Sequence, residues 1–537
     1  MRDRARGAPL DAELDPDLVP ATAAGRLGPW DAADFELAPP AALDALTPSE
    51  RYYFRSECIA VPRRGLAVAG FARGVRADDD VAQWRRQWQS GTEPAHAPLI
   101  LLGAPLRADD AWLDASARTI TIAGRTHPFA LTPRLPLNRS WFDASSAAWF
   151  ASRSLRVRAS IEGGTVVART LWPEEFALAG TLPSAALAAD RPPALALRAR
   201  MREDPRGGAG LPFAAHSIRE RTGWTGDWTD KPVLALVVNG AQGDDDEAWA
   251  GHFAVATGRT SSRGSIADLV VDNFYTLDIV SEKGILAAPV PLDAYLGDLN
   301  SGQAWYRPSW VLVAALASDT ALALVQGAFD RVYRQFWRHQ LVYRHSTMNC
   351  AGVSVDVLRA LGLPIPQRMP RRRSRAWLAL PWVALTQRSL FKGRLACEYL
   401  AEDTTRLLPA AAFEQTSALL LSLAGGANAE GGGLLAGILA RDIEAIALLR
   451  IPQFPSSRRF GSWPVASADE YFAAIPTDPA KMETVPVPAR PFPRELRDGD
   501  LLPRPREPSD LPLALWGLAL LAALGALIAW LATFVSA

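Results

Sequence analysis

Three side-chain types that together perform acyl transfer recur at separated points of this chain. They are a thiol at Cys350, an imidazole at His252 and a polar group at Asn273 or Asp272. Cys350 lies in "HSTMNCAGVSVDVLRALG" (345–362), directly after Asn349. Asn is a favoured helix N-cap, and Val353, Val357 and Leu361 recur at helical spacing, so the pattern predicts a helix opening at Cys350. Gly362 and Pro364 supply its stop. A thiol in a first turn sits among unpaired N–H groups at the positive end of the helix dipole, which favours the reactive thiolate. The same N–H groups would suit the oxyanion of a tetrahedral intermediate. The competing role is structural: a small apolar side chain buried at a helix start.

A nucleophilic thiol needs a base. Of the six histidines, His252 is best placed, because it follows a glycine and opens the strand-like "GHFAVATG" (251–258), which would bring its ring out at a sheet end. His345 and His339 flank the cysteine segment and are the weaker candidates, better suited to surface or capping roles. A third polar residue orients the imidazole in such sites. If 252–258 and 267–275 form a hairpin centred near Ser262, Asn273 falls opposite His252. A one-residue slip would present Asp272 instead, since strand side chains alternate faces. Asn273 is the preferred orienter and Asp272 the second choice.

The elements that must position these residues follow from the surrounding pattern. "PVLALVVNG" (232–240) and "IADLVVDNFYTLDIV" (266–280) are β-type runs on either side of the histidine strand. "ALALVQGAFDRVYRQFWRHQLVYRH" (321–345) has helical periodicity, with Leu324, Phe329, Val332 and Phe336 on one face. Upstream, "RTITIAGRTHPFAL" (118–131) and "SLRVRASIEGGTVVARTL" (154–171) alternate apolar and polar residues, the second around an "EGG" turn. The Pro-rich 188–210 reads as a linker or crossover. Between about 400 and 450 two apolar helices flank "AGGANAEGGG".

The strand-histidine, strand-polar, "NC"-helix order resembles the circularly permuted branch of the papain-like, NlpC-type thiol hydrolase superfamily. Lecithin:retinol acyltransferase-like proteins belong to that branch. So does the family of the lacto-N-biosidase chaperone N-terminal domain, which pairs a "GH" strand with an "NC" helix start. The likeness rests on "WAGHFAVATG" and the cysteine segment and covers roughly residues 230–365. It implies Cys350 as nucleophile, His252 as base and Asn273 or Asp272 as orienter. The segment 281–310 is a long insertion relative to the pattern.

The 537 residues, about half of them hydrophobic, predict more than one core-bearing unit. The expected fold class is α+β, divided as a loosely ordered lead-in (1–50), a β-containing N-terminal domain (51–200) and a papain-like domain (205–400). A helical region (401–483), a Pro/Arg-rich tether (484–510) and a transmembrane helix (511–534) follow. The run 511–537 carries no charge and exceeds the roughly 20 residues a bilayer crossing needs. Arginines precede it and no charge follows, and the N-terminus has no apolar secretory core. The soluble body is therefore expected on the cytoplasmic side.

Lys plus Arg and Asp plus Glu balance at 57 each, which gives no global signal for nucleic acid. Three scattered cysteines fit free thiols better than a disulfide framework. No zinc or phosphate-loop pattern occurs, so no cofactor or metal is expected. The expected partners are a membrane, through the C-terminal helix, and a peptide or lipid acyl substrate. "GDDDEA" (243–248) reads as a solvated turn, and "WYRPSW" (305–310) as packing. "QRMPRRRSRAW" (367–377) is a basic loop or a lipid-headgroup contact.

Overall fold

The computed structural model describes residues 18–38, 58–63, 77–91, 99–131, 144–204, 207–241, 250–274, 288–298, 307–337, 341, 343–369, 373–426, 432–455 and 461–474. The tether 484–510 and the apolar run 511–534 lie outside them. No helix among the described residues is long and apolar enough to cross a membrane. The fold is α+β.

The N-terminal strands are β1 (Val19–Pro20), β2 (Arg26–Leu27), β3 (Trp30–Asp31), β4 (Phe35–Ala38), β5 (Cys58–Pro62) and β6 (Ile100–Gly103). They continue with β7 (Leu106–Asp114), β8 (Thr119–Ile122), β9 (Arg125–Leu131), β10 (Leu155–Glu162) and β11 (Thr165–Pro173). Both alternating segments form hairpins, and the turn expected at "EGG" joins the second. Gly163 and Gly164, at φ +57° and +78°, supply the left-handed pair that a two-residue turn between β10 and β11 requires. Strand β7 pairs with β10 along its first half and with β8 along its second. The order β7-β10-β11-β9-β8 thus closes on itself, with β11 and β9 parallel. The result is a small Greek-key barrel of the OB type, an architecture that hosts many functions.

The second sheet contains β12 (Ala214–Glu220), β13 (Pro232–Asn239), β14 (His252–Arg259), β15 (Val270–Asn273), β16 (Ala288–Pro291), β17 (Ser309–Leu316) and β18 (Ile443–Ile451). It is antiparallel, in the order β12-β18-β17-β13-β14-β15-β16. The helices are α1 (Ala77–Gln89), α2 (Ala144–Ala151), α3 (Pro193–Met201), α4 (Leu292–Gly297), α5 (Thr320–Trp337) and α6 (Cys350–Ala360). They continue with α7 (Arg373–Thr386), α8 (Leu390–Ala401), α9 (Thr404–Leu407), α10 (Pro409–Ala424), α11 (Leu434–Asp442) and α12 (Ala468–Ala474).

Every residue of β13 and β17 is buried, as the near-continuous apolar runs of strands covered on both faces demand. On one face Leu234, Leu236, Phe253, Val255 and Leu312 pack under α5, α6, α10 and α11. On the other, Val233, Val237, Ala254, Val271 and Val311 share a core with the barrel and with α4. Ion pairs tie barrel to sheet: Arg156, itself paired with Asp109 of β7 (2.6 Å), reaches Asp268 (2.7 Å), and Arg169 reaches Asp298 (2.8 Å). Arg158 meets Asp293 at 2.9 Å with both side chains fully buried, a pairing that fixes orientation more than it adds net stability.

Three expectations change. Residues 18–38, read as part of a loosely ordered lead-in, form short strands and bury Leu18, Leu27 and Phe35. The linker-like 188–210 contains α3, whose Leu197 and Met201 enter the core and whose Arg198 grips Glu414 of α10. The C-terminal region is not wholly helical. Its segment 443–451 inserts as β18 between β12 and β17, so the central sheet is completed by chain from beyond residue 400.

Candidate active site

Cys350 is the first residue of α6. Asn349 caps it in extended conformation (φ −92°, ψ −174°), its Oδ1 accepting from the Gly352 N–H at 2.8 Å. The Asn349 amide also donates to the His345 carbonyl at 3.0 Å and the Leu407 carbonyl at 2.8 Å. Three bonds from one side chain therefore fix the entry to α6 and, with it, the position of the thiol. Cys350 is 4% exposed.

His252 opens β14, where Gly251 (φ +74°) makes the approach possible. A Cβ at residue 251 would sit 2.4 Å from the Asn239 carbonyl oxygen, so the glycine of the "GH" pair is a steric requirement. The His252 Nε2 and Asn273 Oδ1 are 2.9 Å apart, both residues being 1% exposed. Asn239 stands across the ladder from His252. Its Oδ1 accepts from the Tyr295 hydroxyl at 2.6 Å and its amide donates to Ser309 Oγ at 2.8 Å. The Tyr295 ring lies 6.2 Å from the His252 ring. His252, Asn273, Asn239, Tyr295 and Ser309 thus form a buried polar cluster at one end of the central sheet.

The register determines which of Asn273 and Asp272 lies beside His252. Val255 pairs with Asp272 and Ala256 with Val271, which centres the hairpin between Arg263 and Gly264. Asn273 therefore faces Ala254, two residues from the expected partner. A two-residue shift preserves the side-chain face, so Asn273 still reaches His252 on the diagonal. Asp272 points through the other face and accepts from Gln326 Nε2 at 3.0 Å. The same nitrogen reaches Asp330 at 3.2 Å. Burial, reinforced by Asp330, pushes the Asp272 carboxyl well above its usual range, and burial does the same to Asp330.

The thiol and the imidazole approach one sheet end from different sides. Helix α5 runs antiparallel to β14: Arg259 pairs with Asp319 just before it begins, and its Tyr333 hydroxyl donates to the Asn273 carbonyl at 3.0 Å. Phe336 of its last turn packs on Phe274. The chain therefore leaves α5 at the His252 end, thirteen residues before Cys350. Helix α6 then packs on β14 from the helical face, whereas His252 and Asn273 project toward the barrel face. Any meeting of thiol and ring occurs around the end of the sheet, not through it.

Among the weaker candidates, His345 stacks edge-on against Tyr343 at 5.2 Å, and His339 lies outside the described residues. A cleft of about 770 Å³ runs along α6, lined by Arg359, Asp356, Arg406, Glu402 and Asp403. Its charges serve one another: Arg406 binds Asp356 through two 2.8 Å bonds and Arg359 binds Asp403 at 3.0 Å. No metal-holding cluster occurs among the described residues. "GDDDEA" lies outside them, while Arg307 and Trp310 are buried. Tyr295, Asn239 and Ser309 were not foreseen. Tyr295 sits in the stretch that read as an insertion, and only its placement by α4 gives it meaning. No protein-family model, curated protein or solved structure matches this chain.

Proposed function

We propose that the chain is a thiol hydrolase or acyltransferase with a papain-like, permuted NlpC-type centre. The observation that carries this reading is the 2.9 Å bond between His252 Nε2 and Asn273 Oδ1, at the sheet end where α5 delivers the chain toward the capped Cys350. With Nε2 held by the amide, Nδ1 is the nitrogen that takes the proton from the Cys350 thiol. The thiolate attacks a carbonyl carbon, and the first N–H groups of α6 stabilise the oxyanion. The leaving amine, alcohol or thiol takes the proton back from the imidazolium, leaving a thioester on Cys350. Water, an amine or a lipid hydroxyl then accepts the acyl group. The run 511–534 would tether this body to a bilayer from the cytoplasmic side, which favours a lipid or membrane-protein acyl donor.

The burial of Cys350 and His252, and their approach from opposite faces, favour a second reading: a scaffold that keeps the arrangement without the chemistry. An acyl ester such as p-nitrophenyl acetate separates the two. On the enzyme reading, wild type accumulates a Cys350 acyl adduct by mass spectrometry, and Cys350→Ala and His252→Ala do not. If Cys350 acylates no faster than the half-buried Cys58 and Cys397, and His252→Ala changes nothing, the scaffold reading stands.

A further inference from the structure

We propose that the α7–α8 hairpin is a second membrane-docking element that lays the protein on an anionic lipid surface, independently of the apolar run at 511–537. Its outer face is apolar where a solvated helix would be polar. Trp377, Leu378, Trp382 and Leu385 are spaced to share one side of α7 and are 73%, 70%, 70% and 56% exposed. Phe391, at the start of α8, extends the patch at 38% exposure.

The hairpin is a built unit and not a frayed end. Ser389 caps α8 by accepting from the Lys392 N–H, and a Cβ at Gly393 would lie 2.5 Å from the Leu380 carbonyl oxygen. The two helices pack closely against each other, which leaves the outer face turned away from the fold. Contiguous large apolar side chains on an exposed face mark an interaction surface.

The charge pattern says which one. From Arg368 to Cys397 the sequence contains no Asp or Glu and eight Arg or Lys, in a chain whose acids and bases balance overall. Arg388, Lys392 and Arg394 are exposed on the hairpin itself. Arg375 reaches Asp469 of α12 at 3.3 Å, with both side chains largely exposed. Exposed tryptophan and leucine together with exposed cations on one hairpin is the composition of an element lying in the headgroup region. Rings enter the acyl boundary and cations meet lipid phosphates. Since α8 continues toward the cleft beside α6, with Glu398 accepting from Ser346 Oγ at 2.7 Å, the docked hairpin would set the candidate site at a fixed height above the bilayer.

Hydrogen exchange of the full chain, read peptide by peptide across 373–397, tests this without interference from any other anchor. Vesicles of phosphatidylcholine with phosphatidylglycerol are expected to slow exchange there about tenfold relative to phosphatidylcholine alone, and high salt to reverse it. Trp377→Glu with Trp382→Glu, both at exposed positions, is expected to abolish the protection while peptides of 350–360 exchange as before. Two results would overturn the proposal. One is equal exchange in the two vesicle types. The other is full protection of 373–397 in the lipid-free chain, which would assign the face to the 511–537 run or to a second copy.

Discussion

Replacing Asn273 with leucine keeps roughly the volume of the side chain and removes the acceptor from His252 Nε2. A hydrogen bond to a charged group contributes about 1.5–3 kcal/mol, against about 1 kcal/mol for a neutral one. The bond at 2.9 Å therefore favours imidazolium over imidazole by about 0.5–2 kcal/mol. If His252 takes its proton from Cys350, the middle of that range lowers the thiolate–imidazolium population roughly tenfold. Alkylation of Cys350 by iodoacetamide, followed by peptide mass spectrometry, reads this directly, and Cys58 and Cys397 serve as references in the same sample. Asn273→Leu is expected to alkylate about tenfold more slowly near neutral pH and to recover wild-type rate above the ordinary thiol pKa of about 8.5, where thiolate forms unaided. Recovery at high pH distinguishes lost base assistance from general loosening. An unchanged rate across the pH range would refute the coupling of Asn273 to Cys350.

Other consequences follow from the buried charges and the sheet end. Asp272 and Asp330 hold protons in the fold that the unfolded chain releases near its usual value of 3.8. Their contribution is thus greatest below that pH and is lost as pH rises toward the raised folded values. Asp330→Asn removes one of the two, so urea unfolding should show a pH slope shallower by up to about 1.4 kcal/mol per unit and a more stable protein at neutral pH. Asp293→Ala strands the fully buried Arg158 guanidinium and should cost about 3–5 kcal/mol in denaturant unfolding. Gly251→Ala forces a left-handed alanine whose Cβ meets the Asn239 carbonyl at 2.4 Å. It should lower the thermal midpoint and slow Cys350 alkylation together, because His252 moves with its neighbour.

Much of the site was legible because its signals are local. An Asn before a 3.6-residue apolar repeat places a helix start, and a glycine before a strand histidine marks a close backbone approach. The contact of Asn273 with His252 tolerates a hairpin centre displaced by one position because face alternation depends only on whether the shift is even or odd. What sequence did not reveal depends on non-local packing. "IEAIALLRI" (443–451) is apolar nearly throughout, and such a run belongs equally to a buried strand or a buried helix until its neighbours β12 and β17 are known. Tyr295 carries no local signature, and its hydroxyl matters only because α4 lies over Asn239. Likewise, the approach of α6 from the face opposite His252 follows from which side of the sheet the barrel covers, a fact fixed by ion pairs such as Arg156 with Asp268.

On the proposed mechanism, His252 sets the ionisation of Cys350. Thiolate absorbance titrated against pH, taken as the difference between wild type and Cys350→Ser, measures that ionisation without a substrate. If His252 takes the thiol proton, the Cys350 inflection moves to higher pH in His252→Ala. The same inflection in both proteins would overturn that coupling.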